Sequence, residues 1–137
     1  MQTSLTYTLG LKNDSNYQFL SKHTLAKRKE LSDKYNNDQQ VAVICEPHRL
    51  YKQSQTGAGL ELPTQMVCVF SKKDPVSSIF QTLKAKLKIN KETTLYLLCN
   101  NYILQYEQSI GQVYEKYKNQ EDDLLYIKYS SQETFGN

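Results

Sequence analysis

Close to its end the chain reads Thr134-Phe135-Gly136-Asn137, and these residue types suit chemistry at a carboxyl group. Glycine has no Cβ, so its backbone can approach an active site in conformations that other residues resist. Gly136 follows a polar stretch, Ser130-Ser131-Gln132-Glu133-Thr134, with nothing to pack, and Asn137 stands beyond it like a cap to be cut off. The pattern predicts a carboxylate delivered into a narrow enzyme channel, and a protein attached to something through its C-terminus.

Other reactive residue types build less. Cys45, Cys68 and Cys99 are an odd set, each inside an apolar, β-like run, and are expected to be buried, reduced thiols. Cys45-Glu46-Pro47-His48 offers a thiol and an imidazole, but the sequence holds no second ligand pair for a closed zinc site. His23 is the only other histidine, so Cys–His catalysis is not expected either. Gly57-Ala58-Gly59 lacks the Gly-Lys-Ser/Thr of a phosphate loop. No metal and no diffusible cofactor is predicted.

Charge is mild at +3 but unevenly placed, with clusters at Lys27-Arg28-Lys29, Lys72-Lys73, and Lys84, Lys86, Lys88 and Lys91. These read first as solvated faces, and second as surfaces for acidic proteins or anionic lipid. The eleven tyrosines are scattered without the basic interleaving of a single-strand-binding sheet, so nucleic acid is not an expected partner. At 137 residues and 39% hydrophobic content, with a mean hydropathy of -0.66, one soluble domain is expected. No apolar run approaches the ~20 residues that cross a bilayer. Met1-Gln2-Thr3-Ser4 lacks the features of a signal peptide, so the expected compartment is the cytoplasm, where the Asn13-Asp14-Ser15 sequon has no use.

The elements that must position the C-terminus follow from periodicity. Residues 1–12 read as an arm, 13–129 as the folded domain and 130–137 as a flexible tail. Asn13-Asp14-Ser15 is placed to cap a short helix to about Lys22 that buries Tyr17, Phe19 and Leu20. Thr24 opens a second helix to about Asn36, with Leu25, Arg28, Leu31 and Tyr35 at helical spacing. Gln40 to Glu46 reads as a strand, Pro47 to Thr64 as a long loop, and Gln65 to Phe70 as a second strand. A helix beginning near Asp74 presents Val76, Ile79, Phe80, Leu83 and Leu87 to the core, with lysines opposite. Thr94 to Cys99 is a strand buried on both faces. Ser109 caps a short helix with Gln112 at the capping-box position, and Leu124 to Tyr129 is the closing strand.

This order predicts an α+β fold, the ubiquitin-like β-grasp with a four-stranded mixed sheet and two additional N-terminal helices. The runner-up is another α+β sandwich with helices on one sheet face. Val41-Ala42-Val43-Ile44-Cys45-Glu46 resembles the "PVICE" strand of the autophagy-related protein 8 family, the GABARAP and light-chain-three type modifiers. Leu125 to Ser130 followed by Glu133-Thr134-Phe135-Gly136 is similar to their closing "LYVTYSGENTFG", and Val113-Tyr114 to their "IY". Lys27-Arg28-Lys29-Glu30 through Lys34-Tyr35 resembles their charged second helix. The resemblance runs from about Phe19 onward. It departs at Ala42, where the family has proline, at Leu124, where it has an aromatic residue, and at Val67 to Ser71, where it has "KYLVP".

The resemblance implies a non-enzyme. A cysteine protease would cut beside Phe135 and Gly136 and release Asn137. E1-like and E2-like enzymes would then carry Gly136 to an amide bond with phosphatidylethanolamine. The lipid would move the protein from the cytoplasm to the autophagosome membrane, supporting membrane expansion. It further implies capture of cargo receptors through an aromatic-x-x-aliphatic motif added as a strand beside Val67, Cys68, Val69 and Phe70. The aromatic pocket is expected from Leu31, Ala42, Ile44, Val69 and Leu124, and the aliphatic pocket from Val69, Ile79, Thr82 and Leu83. Lys84 and Lys86 would form a basic partner surface. Two alternatives stay open: a modifier joined to protein lysines, and a non-covalent ubiquitin-like adaptor in which Gly136 is incidental.

Overall fold

The computed structural model describes residues 16–48, 65–87 and 94–131. The arm at 1–12, residues 49–64 of the long loop, Lys88, Lys91 and the Phe135-Gly136-Asn137 terminus lie outside the described residues. In chain order the elements are α1 (Gln18–Lys22), α2 (Leu25–Tyr35), β1 (Gln40–Pro47), β2 (Met66–Ser71), α3 (Ser77–Leu87), β3 (Leu95–Cys99), β4 (Tyr102–Ile103), α4 (Ile110–Tyr117) and β5 (Leu125–Ser131).

The strands form one mixed sheet in the order β2-β1-β5-β3-β4. β1 runs parallel to β5 and antiparallel to β2, and β3 is antiparallel to both β5 and β4. The sheet thus has five strands, because a two-residue β4 folds back on β3 through Asn100 and Asn101. Both turn residues hold positive φ, 49° and 71°, the left-handed pair that a tight hairpin turn requires and that asparagine tolerates.

Alternation along the strands sends residues to two differently covered faces. Val43, Cys45, Cys68, Phe70, Leu125, Ile127, Leu95 and Leu97 share an inner face, where Val76, Ile79 and Leu83 meet Ile110 and Val113. Ala42, Ile44, Leu124 and Tyr126 share the outer face beneath Tyr17 and Phe19, with Leu20, Leu31 and Tyr35 half-buried around them. Cover on both faces explains why β1 reads as an unbroken apolar run.

Two of the four helices start on a local side-chain cap. Thr24 caps α2 by accepting from Lys27 N at 3.2 Å. Ser109 and Gln112 close a reciprocal capping box on α4. α1 begins at Gln18 with Tyr17 as its N-cap residue, whose side chain makes no capping bond, while Asn13, Asp14 and Ser15 lie outside the described residues. Leu20 is half-buried rather than buried. The polar tail also starts later than its composition suggests. Ser130 and Ser131 are buried strand residues, paired with Tyr96 and Leu95.

Candidate functional site

β2 is the outermost strand on one side of the sheet. Lys72 N donates to Gln39 O at 2.8 Å, just beyond a ladder that pairs Phe70 with Val41, Cys68 with Val43 and Met66 with Cys45. Hydrogen-bonded pairs alternate along an antiparallel ladder, so Phe70, Cys68 and Met66 turn their backbone groups toward β1. The N–H and C=O groups of Val67 and Val69 therefore face away from the sheet. Their side chains lie on the outer face opposite Ile44 and Ala42, and each remains 39% exposed. Among the described residues no strand pairs with this edge, and with its two exposed valines it can accept one more extended strand.

The sequence-expected pocket residues divide around this edge. Leu31, Ala42, Ile44, Val69 and Leu124 do share one face, so the aromatic set is brought together. Ala42, Ile44 and Leu124 have no exposed surface, however, and only half-buried Leu31 and exposed Val69 can be touched in this conformation. The aliphatic set is not assembled. Ile79 and Leu83 are fully buried on the inner face, and Val69 points to the opposite side of the sheet. Thr82 is half-buried on α3. Val69 therefore lies with the aromatic set and not with the aliphatic one, because neighbouring residues of a strand point to opposite faces. Cys68 and Phe70 bring their side chains to the core rather than to a ligand.

Of the expected basic pair, Lys86 is the one placed against β2, while Lys84 lies over Phe80 of its own helix. Lys86 is exposed, with Nζ 3.7 Å from Cys68 Sγ, and Lys84 rests its ammonium 4.7 Å from the Phe80 ring centroid.

Two buried ion pairs, not anticipated from the sequence, fix the helices over the outer face. The Glu46 carboxylate accepts from Gln18 N at 2.8 Å and Phe19 N at 2.7 Å, replacing the missing local cap of α1. Lys128 Nζ reaches Glu46 Oε1 at 3.3 Å and donates to Asn16 O at 2.7 Å. On α2, Arg28 Nη1 meets Asp122 Oδ2 at 2.7 Å, and the Tyr126 hydroxyl donates to the same oxygen at 2.6 Å. Burial, reinforced by that donation to the carboxylate, pushes the Tyr126 phenol far up. Burial opposes the charge on Arg28, yet the bond to Asp122 leaves its pKa raised. The available signal was a charged residue inside an apolar strand: Lys128 between Ile127 and Tyr129, and Glu46 after Cys45.

All three cysteines are buried and free. Burial drives the Cys45 and Cys99 thiols well above their ordinary range, which removes thiolate character at neutral pH. Cys45 faces the inner core and Glu46 the outer face, so they form no catalytic pair. Among the described residues no group of acidic, cysteine or histidine side chains could hold a metal ion, and no helix is long and apolar enough to cross a membrane.

Comparison with known proteins supplies the context. Residues 23–136 match the family model described as autophagy protein Atg8, ubiquitin like. Autophagy-related protein 8D of Oryza sativa subsp. japonica is 40% identical over 62 residues, covering 45% of this chain and 52% of that protein. Autophagy-related protein 8 of Dictyostelium discoideum is 41% identical over 58 residues, covering 42% of this chain and 47% of that protein. The aligned stretch thus spans about half the length of these relatives. The crystal structure of Trypanosoma brucei ATG8 superposes with a TM-score of 0.71 at 18% identity, over 85% of this chain and 96% of that one, a likeness of fold.

Proposed function

Because the chain belongs to the Atg8 family of ubiquitin-like autophagy proteins, we propose that it is a modifier conjugated through Gly136 to phosphatidylethanolamine. A cysteine protease removes Asn137 and frees the glycine carboxylate. An E1-like enzyme adenylates that carboxylate with release of pyrophosphate, and its thiol then displaces AMP. The acyl group passes to an E2-like thiol, and the lipid's amine attacks the thioester to form an amide and release the thiol. Two acyl chains give stable anchoring where one is marginal, carrying a cytoplasmic protein to the autophagosome membrane.

The observation that carries this reading is Glu133-Thr134-Phe135-Gly136, placed directly after β5 and inside the family match. The open β2 edge supports the second half of the proposal. Cargo receptors add a strand against Val67 and Val69, with Lys86 close to the same strand, and are thereby gathered at the membrane. The outer-face walls of the aromatic pocket are roofed in this conformation, so an aromatic side chain enters only if that roof shifts.

Mass spectrometry of the protein from cells tests the conjugation. A phospholipid adduct on Gly136 supports it. An isopeptide to a lysine, or an unmodified chain ending in Asn137, rejects it in favour of a protein modifier or a non-covalent adaptor. Gly136→Ala should abolish membrane association, while deletion of Asn137 should preserve it without the protease.

A further inference from the structure

A cavity of about 250 Å³ opens on the far side of α1 from the β2 edge, where α1 meets the β3–β4 turn and the loop leading into β5. Tyr17 and Leu20 come from α1, Tyr126 from β5 and Asn100 from the turn, while Tyr117, Lys118 and Asn119 close the remaining side. The volume lies just under the ~300 Å³ at which drug-sized sites begin, so the occupant is small.

The charges around it select the ligand. Lys118 makes no ion pair among the described residues; its ammonium rests 5.4 Å from the Tyr114 ring centroid. Asn119 Oδ1 is already used, accepting from Glu121 N at 2.8 Å and Asp122 N at 3.1 Å, so it is the amide N–H side of Asn119 that can donate to a ligand. Asn100 N approaches the Tyr17 hydroxyl at 3.5 Å, tying the turn to α1 across the cavity.

A cation is disfavoured here despite three tyrosines. Lys128 Nζ already stands 5.1 Å from the Tyr17 ring centroid and Lys116 Nζ 5.3 Å from that of Tyr117, so a second cation on either ring meets an ammonium. The acidic group nearest Tyr126 is Asp122, whose charge is neutralised by Arg28 at 2.7 Å. What remains is a lysine and an amide beside the tyrosines and Leu20.

We propose that this cavity binds a small organic carboxylate with a short apolar or aromatic body. The acid faces Lys118 and the Asn119 amide, and the body lies between Leu20 and the tyrosines. The site is independent of the conjugation reading, since it uses neither Gly136 nor the β2 edge.

Backbone-amide NMR of the intact chain tests this with three matched probes: p-hydroxyphenylacetate, its neutral carboxamide, and tyramine. The acid should give saturable shifts confined to amides near Leu20, Asn100, Tyr117 and Asn119, with Kd on the order of 1 mM. The carboxamide should bind about tenfold more weakly, and tyramine should leave these amides unmoved. Lys118→Met should lose the acid response while keeping the spectrum of the folded protein, and Lys118→Arg should retain it. No saturable shift, equal shifts from acid and tyramine, or undiminished binding by Lys118→Met would each overturn the proposal.

Discussion

Replacing Glu46 with alanine should undock α1 while leaving the sheet folded. α1 has five residues and no side-chain cap of its own, and so short a helix is not stable in isolation. Ordering five residues costs about 5–10 kcal/mol of backbone entropy. Burying Tyr17 and Phe19, each 7% exposed, returns about 1.5–3 kcal/mol apiece. Burial alone therefore does not hold the helix down. The difference must come from Glu46, which satisfies two first-turn N–H groups at 2.8 and 2.7 Å and pairs with Lys128 at 3.3 Å. Removing one partner of a buried pair typically costs about 3–5 kcal/mol.

The loss should be local. Once α1 lifts, water reaches Lys128 and relieves its isolation, so global stability should fall by about the free energy that docked α1 and no further. Amide hydrogen exchange reads the local event directly. About 3 kcal/mol corresponds to roughly 100-fold, so the Gln18 and Phe19 amides of Glu46→Ala should exchange about that much faster than wild type. Core amides of β1 and β5 should keep most of their protection. Lys128→Met in the Glu46→Gln background should recover part of the loss, because the unpaired ammonium is gone. If Gln18 and Phe19 exchange within about threefold of wild type, the account of α1 as held in place by Glu46 is wrong.

Val69→Asp should fold normally, since the side chain is 39% exposed, yet weaken an aromatic-x-x-aliphatic peptide by at least ~2 kcal/mol, because docking would bury an unpaired carboxylate; isothermal titration showing equal affinity would remove Val69 from the site. Gly111→Ala would place a Cβ 3.0 Å from Lys72 O and 3.2 Å from Lys72 Cβ, so a gain of about 1 kcal/mol in helix propensity should be outweighed by overpacking of about 1–3 kcal/mol, lowering the urea midpoint. Tyr126 titrates far above its unfolded value of ~10, so its contribution is complete below that pH and is lost as pH rises through the folded value; Tyr126→Phe should show a shallower alkaline fall in stability than wild type. Lys84→Glu with Lys86→Glu should keep the fold and slow association with an acidic peptide, most clearly at low salt; unchanged rates at low ionic strength would make these lysines a solvated face.

The parts of this fold that could be read from the sequence are those whose signal is local. A capping box needs only residues three apart, and Ser109 with Gln112 marked the start of α4 correctly. The helical stripe Val76, Ile79 and Leu83 placed α3 against the core for the same reason. The closing strand and the β1 run likewise carried enough pattern to order the sheet. What could not be read depends on pairing across the chain. Glu46 lies 28 and 27 residues from the two amides it caps, beyond the reach of a local rule, which sees only near neighbours such as Asn13, Asp14 and Ser15. The two-residue β4 has too few positions to show any period, and its evidence is the pair of left-handed asparagines before it. The aliphatic set is not assembled for a third reason. Membership in a pocket is decided by parity along β2: Val67 and Val69 belong to the outer face, Cys68 and Phe70 to the inner one. A resemblance that names Val69 beside Ile79 and Leu83 joins residues on opposite sides of a sheet, and only the register of β2 against β1 separates them. Parity also accounts for the exposure of the two valines. α1 and α2 cover Ala42 and Ile44 completely but stop short of the edge, so Val67 and Val69 are exposed where, among the described residues, the backbone also lacks a neighbouring strand, and a single added strand would satisfy both.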